Sequence, residues 1–255
     1  MIGKCVSAIK QLIYRNPSYM CTKRCDGTTI YVPKSHRWSD HFCKKFAENE
    51  PFSNMKMREL LKTLKVGSFI VDVGAHVGDT GLYLALHLQQ SYPERCIDVI
   101  MIEPDHTKVD FVKKAVELNN LTNCVILNAG VSDHTGKCGL IKNEKFPGAT
   151  LVDEKADMAD IPVYPIDHIC NGMNVSMMHV DVEGMEHKCL LGAKRTLHNT
   201  QHVIIEMNEI PPRPSDPEPP GDRQREREFL KQNGFVQVKN ENMYKEYCNE
   251  LYSRP

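Results

Sequence analysis

An α/β fold with a mostly parallel sheet and helices on both faces is predicted by two observations. From about residue 68 onward, short apolar runs alternate with stretches of helical periodicity, the order from which parallel sheets are built. The first run enters a glycine-bearing turn, Gly74-Ala75-His76-Val77-Gly78-Asp79-Thr80-Gly81, and the next run ends on Glu103 followed by Pro104. Glycines let the chain turn sharply and lie against a ligand, the helix that follows offers unpaired N–H groups, and a terminal carboxylate accepts ribose hydroxyls. These features together point to an adenosine-containing ligand.

The elements follow in order. Pro51 and Ser53 mark a helix start, Met55, Leu60, Leu61 and Leu64 form its apolar stripe, and Gly67 stops it. Phe69 to Val73 is the first strand of the sheet, and Leu82, Leu84, Ala85 and Leu88 continue the helix after the turn. Asp98 to Glu103 is the second strand. Asp105 is the N-cap of a helix that runs to Leu121 with Val109, Val112 and Val116 along one face. Cys124 to Leu127 is the third strand, and Ser132 to Pro165 reads as a long polar insertion of the kind that contacts substrate. Ser176 to Asp181 is the fourth strand, Gly184 opens a helix carrying Leu190, Ala193 and Leu197, and His202 to Glu206 is the fifth strand. Six prolines from Pro211 to Pro220 stiffen a rim at the ligand-binding edge. A helix from Arg223 to Asn233 stops at Gly234, and Phe235 to Val238 pairs with Met243 to Tyr247 as a closing hairpin. Residues 1–50, with a strand at Ile30 to Val32 and a helix from Ser39 to Glu48, form an N-terminal extension or cap over the ligand face, ahead of the main domain at 51–255.

Composition excludes several classes. At 255 residues, 41% apolar and 25% charged, the chain is long enough to bury a full core. With 32 basic and 33 acidic residues it has no global field to draw in nucleic acid or anionic lipid. Lys142, Lys145 and Lys155 in the insertion read as a solvated face, so nucleic acid is not the expected partner. No apolar run approaches a membrane span, and Lys4, Lys10, Gln11 and Arg15 interrupt the start, so a soluble, cytoplasmic protein is expected. The ten cysteines are scattered and read as reduced thiols. Cys21, Cys25, His41 and Cys43 supply soft ligands in a spacing unlike zinc knuckles, and no metal site is assigned.

Between ligand classes the turn decides. Dinucleotide folds favour G-x-G-x-x-G, whereas Gly74, Gly78 and Gly81 give G-x-x-x-G-x-x-G, a looser turn with no pyrophosphate pressed against it. S-adenosylmethionine is therefore favoured over NAD. An NAD-dependent oxidoreductase and a non-catalytic adenosyl-ligand-binding module are the alternatives from other classes.

A second motif narrows the reading. The fourth strand ends in Met178-His179-Val180-Asp181-Val182-Glu183-Gly184-Met185-Glu186, followed by Leu190-Leu191-Gly192-Ala193. With Asp72-Val73-Gly74-Ala75, Glu103-Pro104-Asp105, Asn128-Ala129, Pro165-Ile166-Asp167 and Ile205-Glu206, this resembles the FkbM family of S-adenosylmethionine-dependent methyltransferases over roughly residues 60 to 240. The chain departs from the family pattern at His179, where a lysine is usual, and at His76, where asparagine is common. The resemblance implies a class I methyltransferase (Rossmann-like) fold, a seven-stranded mostly parallel sheet with a C-terminal antiparallel hairpin, acting as an O-methyltransferase. It places Asp72 and the backbone of Gly74, Ala75, His76, Gly78 and Asp79 at the methionine end of the cofactor. Glu103 and Pro104 fall at the ribose, Asn128 and Ala129 at the adenine, and Asp181 at the same edge. Family members often modify sugars or natural products, so the expected acceptor is a glycan or similar hydroxylated small molecule, with RNA or protein as alternatives.

A sulfonium methyl is already electrophilic, so the protein chiefly aligns the acceptor and excludes water, and a base adds about 10²–10⁴-fold. His179 and Asp181 lie two apart in a strand and share a face. Asp181 is the first candidate for that base, with His179 and Glu206 beside it. Hard oxygens on Asp181 and Glu206 or Asn208 suit magnesium, but a divalent metal ranks below the metal-free mechanism.

Overall fold

The computed structural model describes residues 19–23, 28–33, 55–142, 150–153, 160–207, 223–238 and 249–255. Their order is β1 (Tyr19–Lys23), β2 (Thr29–Pro33), α1 (Met55–Thr63), β3 (Phe69–Val73), α2 (Gly81–Ser91), β4 (Asp98–Ile102), α3 (His106–Asn119) and β5 (Cys124–Leu127). Then come β6 (Gly130–Val131), β7 (Gly136–Lys142), β8 (Thr150–Asp153), β9 (Ile161–Tyr164), α4 (Ile166–Ile169) and β10 (Val175–Val180). The chain continues through α5 (Glu186–Leu191), α6 (Lys194–Asn199), β11 (His202–Glu206), α7 (Arg223–Gln232), β12 (Val236–Gln237) and β13 (Asn249–Ser253).

The main sheet has seven strands in the order β12-β13-β11-β10-β3-β4-β5. The neighbours from β11 to β5 pair in parallel, and β13 is antiparallel to both β11 and β12. The chain starts in the middle, winds outward through β4 and β5, and returns to the other side of β3. This leaves a topological switch point between β3 and β10, the place where such sheets bind ligands.

Both faces of the sheet are buried, which is why its strands read as continuous apolar runs. On one face Ile70, Val99, Met101, Met177 and Ile204 join Leu82, Ala85, Val112 and Ala115. On the other, Val71, Ile100, Met178, Val180, Val203 and Ile205 join Leu190, Ala193, Leu197 and Leu230. Asp105 caps α3 as its sequence position suggests, its Oδ1 accepting from the Thr107 N–H at 2.9 Å. No helix among the described residues is long and apolar enough to cross a membrane.

Several elements differ from the sequence reading. The Ser132–Pro165 insertion is not simply loop, because β6, β7, β8 and β9 form a second, four-stranded sheet in the order β6-β9-β7-β8. The apolar alternation that would have revealed it is diluted by glycines and lysines in Gly136–Lys142. The single helix expected after Gly184 is two short ones. Gly192 separates them where a Cβ would stand 2.2 Å from the Ser132 carbonyl oxygen, and Asp167 accepts from the N–H groups of Arg195 and Thr196 to start α6. The closing strand is Asn249–Ser253, later than expected; Met243–Tyr247, the proline-rich rim and Ser39–Glu48 lie outside the described residues. So do Cys25, His41 and Cys43 of the soft-ligand group, and Lys145 and Lys155. The expected strand at Ile30 is present as β2, and Thr29 exchanges hydrogen bonds with Asn119 at the end of α3 remote from the glycine turn.

Candidate active site at the carboxyl edge of the sheet

Strand register builds the site in two rows. Met101, Asp72, His179 and Ile204 are successive cross-strand partners on β4, β3, β10 and β11. Two residues further along, on the same face, stand Glu103, Gly74, Asp181 and Glu206. The outer row therefore has a carboxylate on one side, a glycine in the middle and two carboxyl groups on the other side. Glycine is required there, because a Cβ on Gly74 would lie 1.7 Å from the Asp181 carbonyl oxygen and its φ is +83°. The same closeness ties the strand ends together: the Asp181 N–H donates to the Val73 carbonyl and the Gly74 N–H to that of Ile102, both at 3.0 Å.

Beyond Gly74 the turn is held by its neighbours. His76 adopts φ +53°, and its N–H donates to Oε2 of Glu103 at 2.9 Å. Oε1 of Glu103 accepts from the Asp105 N–H at 3.0 Å and lies 3.9 Å from Nζ of Lys108. Glu103 is thus fixed before any ligand arrives, with lone pairs left on both oxygens. The Asn128 amide nitrogen donates to the carbonyls of Glu103 and Pro104 at 2.9 and 2.8 Å, tying the ends of β4 and β5. Ala129, next to it, is fully buried.

Beneath the turn, Oδ1 of Asp72 accepts from Nδ1 of His179 at 2.7 Å, with both side chains buried. Oδ2 of Asp72 has no hydrogen-bond partner and lies beside Gly81, where a Cβ would approach it to 2.7 Å. Burial opposes a charge on His179, but the bond to Asp72 and the charges of Asp72, Asp181 and Asp79 outweigh it and raise its pKa.

The carboxyl groups at this edge are harder to ionise than usual. Burial, followed by the charge of Glu206, pushes Asp181 well above the ordinary carboxylate range. The Glu206 side chain is near enough to Asp181 that ionising one group opposes ionising the other. Burial raises Glu103 and Glu183 too, against the opposing charge of Lys108.

The sequence-predicted residues Asp72, Gly74, Ala75, His76, Gly78, Asp79, Glu103, Pro104, Asp181, His179 and Glu206 all fall on this edge or the row below it. Asn128 and Ala129 flank it at β5. Glu183 takes φ +52°, and Glu186 ties together the turn that leads into α5. Oε1 of Glu186 accepts from the N–H groups of Val182 and Gly184 at 3.2 and 3.1 Å, and burial raises its pKa to about 7. Lys108 is the other participant that sequence reasoning missed. A lysine on the first turn of a helix reads as solvated, and only the fold reveals it buried between two carboxylates. No group of three or more His, Cys, Asp or Glu side chains among the described residues is arranged to hold a metal ion.

Among solved structures, the chain is similar to the methyltransferase FkbM from Methylobacillus flagellatus, at 17% identity and a TM-score of 0.49. The match covers 74% of this chain and 44% of that one, so the chain spans less than half the length of that relative. It is similar also to a SAM-dependent methyltransferase from Aquifex aeolicus, at 16% identity and TM-score 0.45, over 82% and 95% of the two chains. A third similar structure is TrmK of M. capricolum in complex with S-adenosylhomocysteine, at 11% identity and TM-score 0.42, over 80% and 69%. No curated protein matches the chain. The profile of the methyltransferase FkbM domain matches residues 72–236, from Asp72 of the first motif to the start of β12, and by that match the chain belongs to the FkbM methyltransferase family.

Proposed function

We propose that the chain transfers a methyl group from S-adenosylmethionine to a hydroxyl of a sugar, glycan or similar small molecule. The observation that carries this reading is the row Glu103, Gly74, Asp181, Glu206: a fixed carboxylate for a ribose, a glycine that lets the two strand ends close on each other, and Asp181 beside Glu206 for the acceptor. The residues fit the cofactor on two counts. Gly74 and Gly78 hold the turn at φ +83° and +84°, which side-chain-bearing residues rarely adopt, and Asp72 keeps a buried, unpartnered carboxylate oxygen beneath it.

In this reading Glu103 receives the ribose hydroxyls, and the turn from Gly74 to Asp79 with Asp72 beneath it receives the methionine end. Because the Asn128 amide nitrogen is occupied, the adenine falls to the Ala129 backbone and the Asn128 oxygen. When bound, the cofactor supplies an electrophilic methyl. Asp181 then accepts the proton of the acceptor hydroxyl, and Glu206 holds Asp181 in place. Packing of both sheet faces keeps water from the row's underside.

Isothermal titration with S-adenosylmethionine, S-adenosylhomocysteine and NADH tests the cofactor. The expected outcome is micromolar binding of the two adenosyl ligands and none of NADH. Glu103→Ala removes two charge-assisted bonds and is expected to weaken S-adenosylhomocysteine about 100-fold. Unchanged affinity in that variant overturns the ribose assignment, and NADH binding alone overturns the function. Methyl transfer to a panel of sugars, scored against RNA and protein acceptors, then decides the substrate class.

A further inference from the structure

We propose that His179 is a positioning residue: it orients Asp72 so that the second oxygen of that carboxylate is presented to the charged amino-acid end of the cofactor. The inference rests on the reading that the site binds an adenosyl cofactor, and goes beyond it by giving a role to the position at which this chain departs from the usual lysine.

Three observations carry it. Asp72 and His179 are direct cross-strand partners on adjacent parallel strands, 0% and 3% exposed, and joined at 2.7 Å through Oδ1 alone. Oδ2 of the same carboxylate is buried without a hydrogen-bond partner, an arrangement that is costly unless a donor arrives. That oxygen lies at the first turn of α2, beside Gly81, the residue at which a side chain would collide with it and with Sδ of Met101. Gly81 thus keeps a side chain off an acceptor that has no donor.

An ammonium, reached directly or through one water, is the chemistry that completes a buried carboxylate with one oxygen already engaged. The terminal torsion of an aspartate is broad and roughly two-fold, so without the imidazole the carboxylate would turn and Oδ2 would lose its direction. A histidine that merely tied two strands together would support the fold without distinguishing one end of a ligand from another.

The test compares S-adenosylhomocysteine with 5′-methylthioadenosine, which has the same nucleoside and sulfur but no amino-acid end. Wild type is expected to bind S-adenosylhomocysteine more tightly. His179→Leu removes the donor and is expected to weaken S-adenosylhomocysteine about 10- to 100-fold while leaving 5′-methylthioadenosine unchanged. His179→Asn places an N–H at the position of Nδ1 and is expected to keep the preference. If His179→Leu does not fold, His179→Ser, too short to reach Asp72, replaces it against the same asparagine control. Equal weakening of both ligands in folded variants, or no weakening of either, overturns the proposal, as does loss of the preference in His179→Asn. If wild type binds neither ligand, the cofactor reading itself fails; if it binds both equally, the reading stands and the Asp72 assignment falls.

Discussion

Replacing Gly74 by alanine tests the architecture of the site with a single methyl group. The new Cβ would stand 1.7 Å from the Asp181 carbonyl oxygen and 2.8 Å from its carbon, so the end of β10 must retreat by about 1.3 Å to reach the shortest separation real Cβ atoms adopt. That retreat pulls on the Asp181 N–H bond to Val73 and the Gly74 N–H bond to Ile102, each worth about 1 kcal/mol net. The φ of +83° adds about 1–2 kcal/mol for a residue with a Cβ. Together these give a loss of about 3–4 kcal/mol, which in a protein of this size lowers the melting temperature by about 10 °C. Urea and thermal unfolding measure the loss, and titration with S-adenosylhomocysteine at a temperature where the variant is folded measures the site. A variant within about 1 kcal/mol of wild type that binds normally would refute the claim that the two strand ends depend on this glycine.

Two predictions concern pH. Because burial and the Glu206 charge hold the Asp181 pKa well above the ordinary carboxylate value, its base form disappears as pH falls through that raised pKa. Methyl transfer is expected to decline on the acid side, and Glu206→Gln, which removes the charge, is expected to move that decline to lower pH in a pH–rate profile; an unmoved profile assigns the base elsewhere. Glu186 titrates near 7 in the folded chain against 4.5 as its ordinary value, so the folded state holds the extra proton between those values and loses stability as pH rises through them. Glu186→Gln is expected to be more stable than wild type at pH 8 by about 3 kcal/mol in urea unfolding, with the difference nearly gone at about pH 4.5. A destabilised variant at pH 8 would mean that the ionised Glu186 is held by its two N–H donors better than burial penalises it.

The sheet was legible because both its faces are buried, so Phe69–Val73, Asp98–Ile102 and Val175–Val180 read as mostly apolar runs between helical patterns, interrupted inside only at Asp72, Ser176 and His179. The site's acids were legible for a related reason, since each stands one residue past such a run, where ligands of these sheets bind. What escaped was whatever depends on distant partners. The break at Gly192 follows from the Ser132 carbonyl, and the small second sheet from pairings across 130–164 that leave little periodicity. Lys108 and Glu186 carry charges in or beside helical stretches, and only the fold buries them. The pairing of Asp181 with Glu206, already named among the sequence candidates, rests on β10 lying beside β11.

The placement of Gly74 between its acidic neighbours divides labour across the sheet. Glu103 and Glu206 stand on strands separated by three interstrand steps, about 14 Å. At that separation, without shared partners, substitutions contribute nearly independent free energies. The residues proposed for the nucleoside and those proposed for the acceptor can therefore drift separately. On the proposed reading, a lineage can exchange one acceptor for another by altering β10 and β11, while the turn, Glu103 and Asn128 keep the same cofactor.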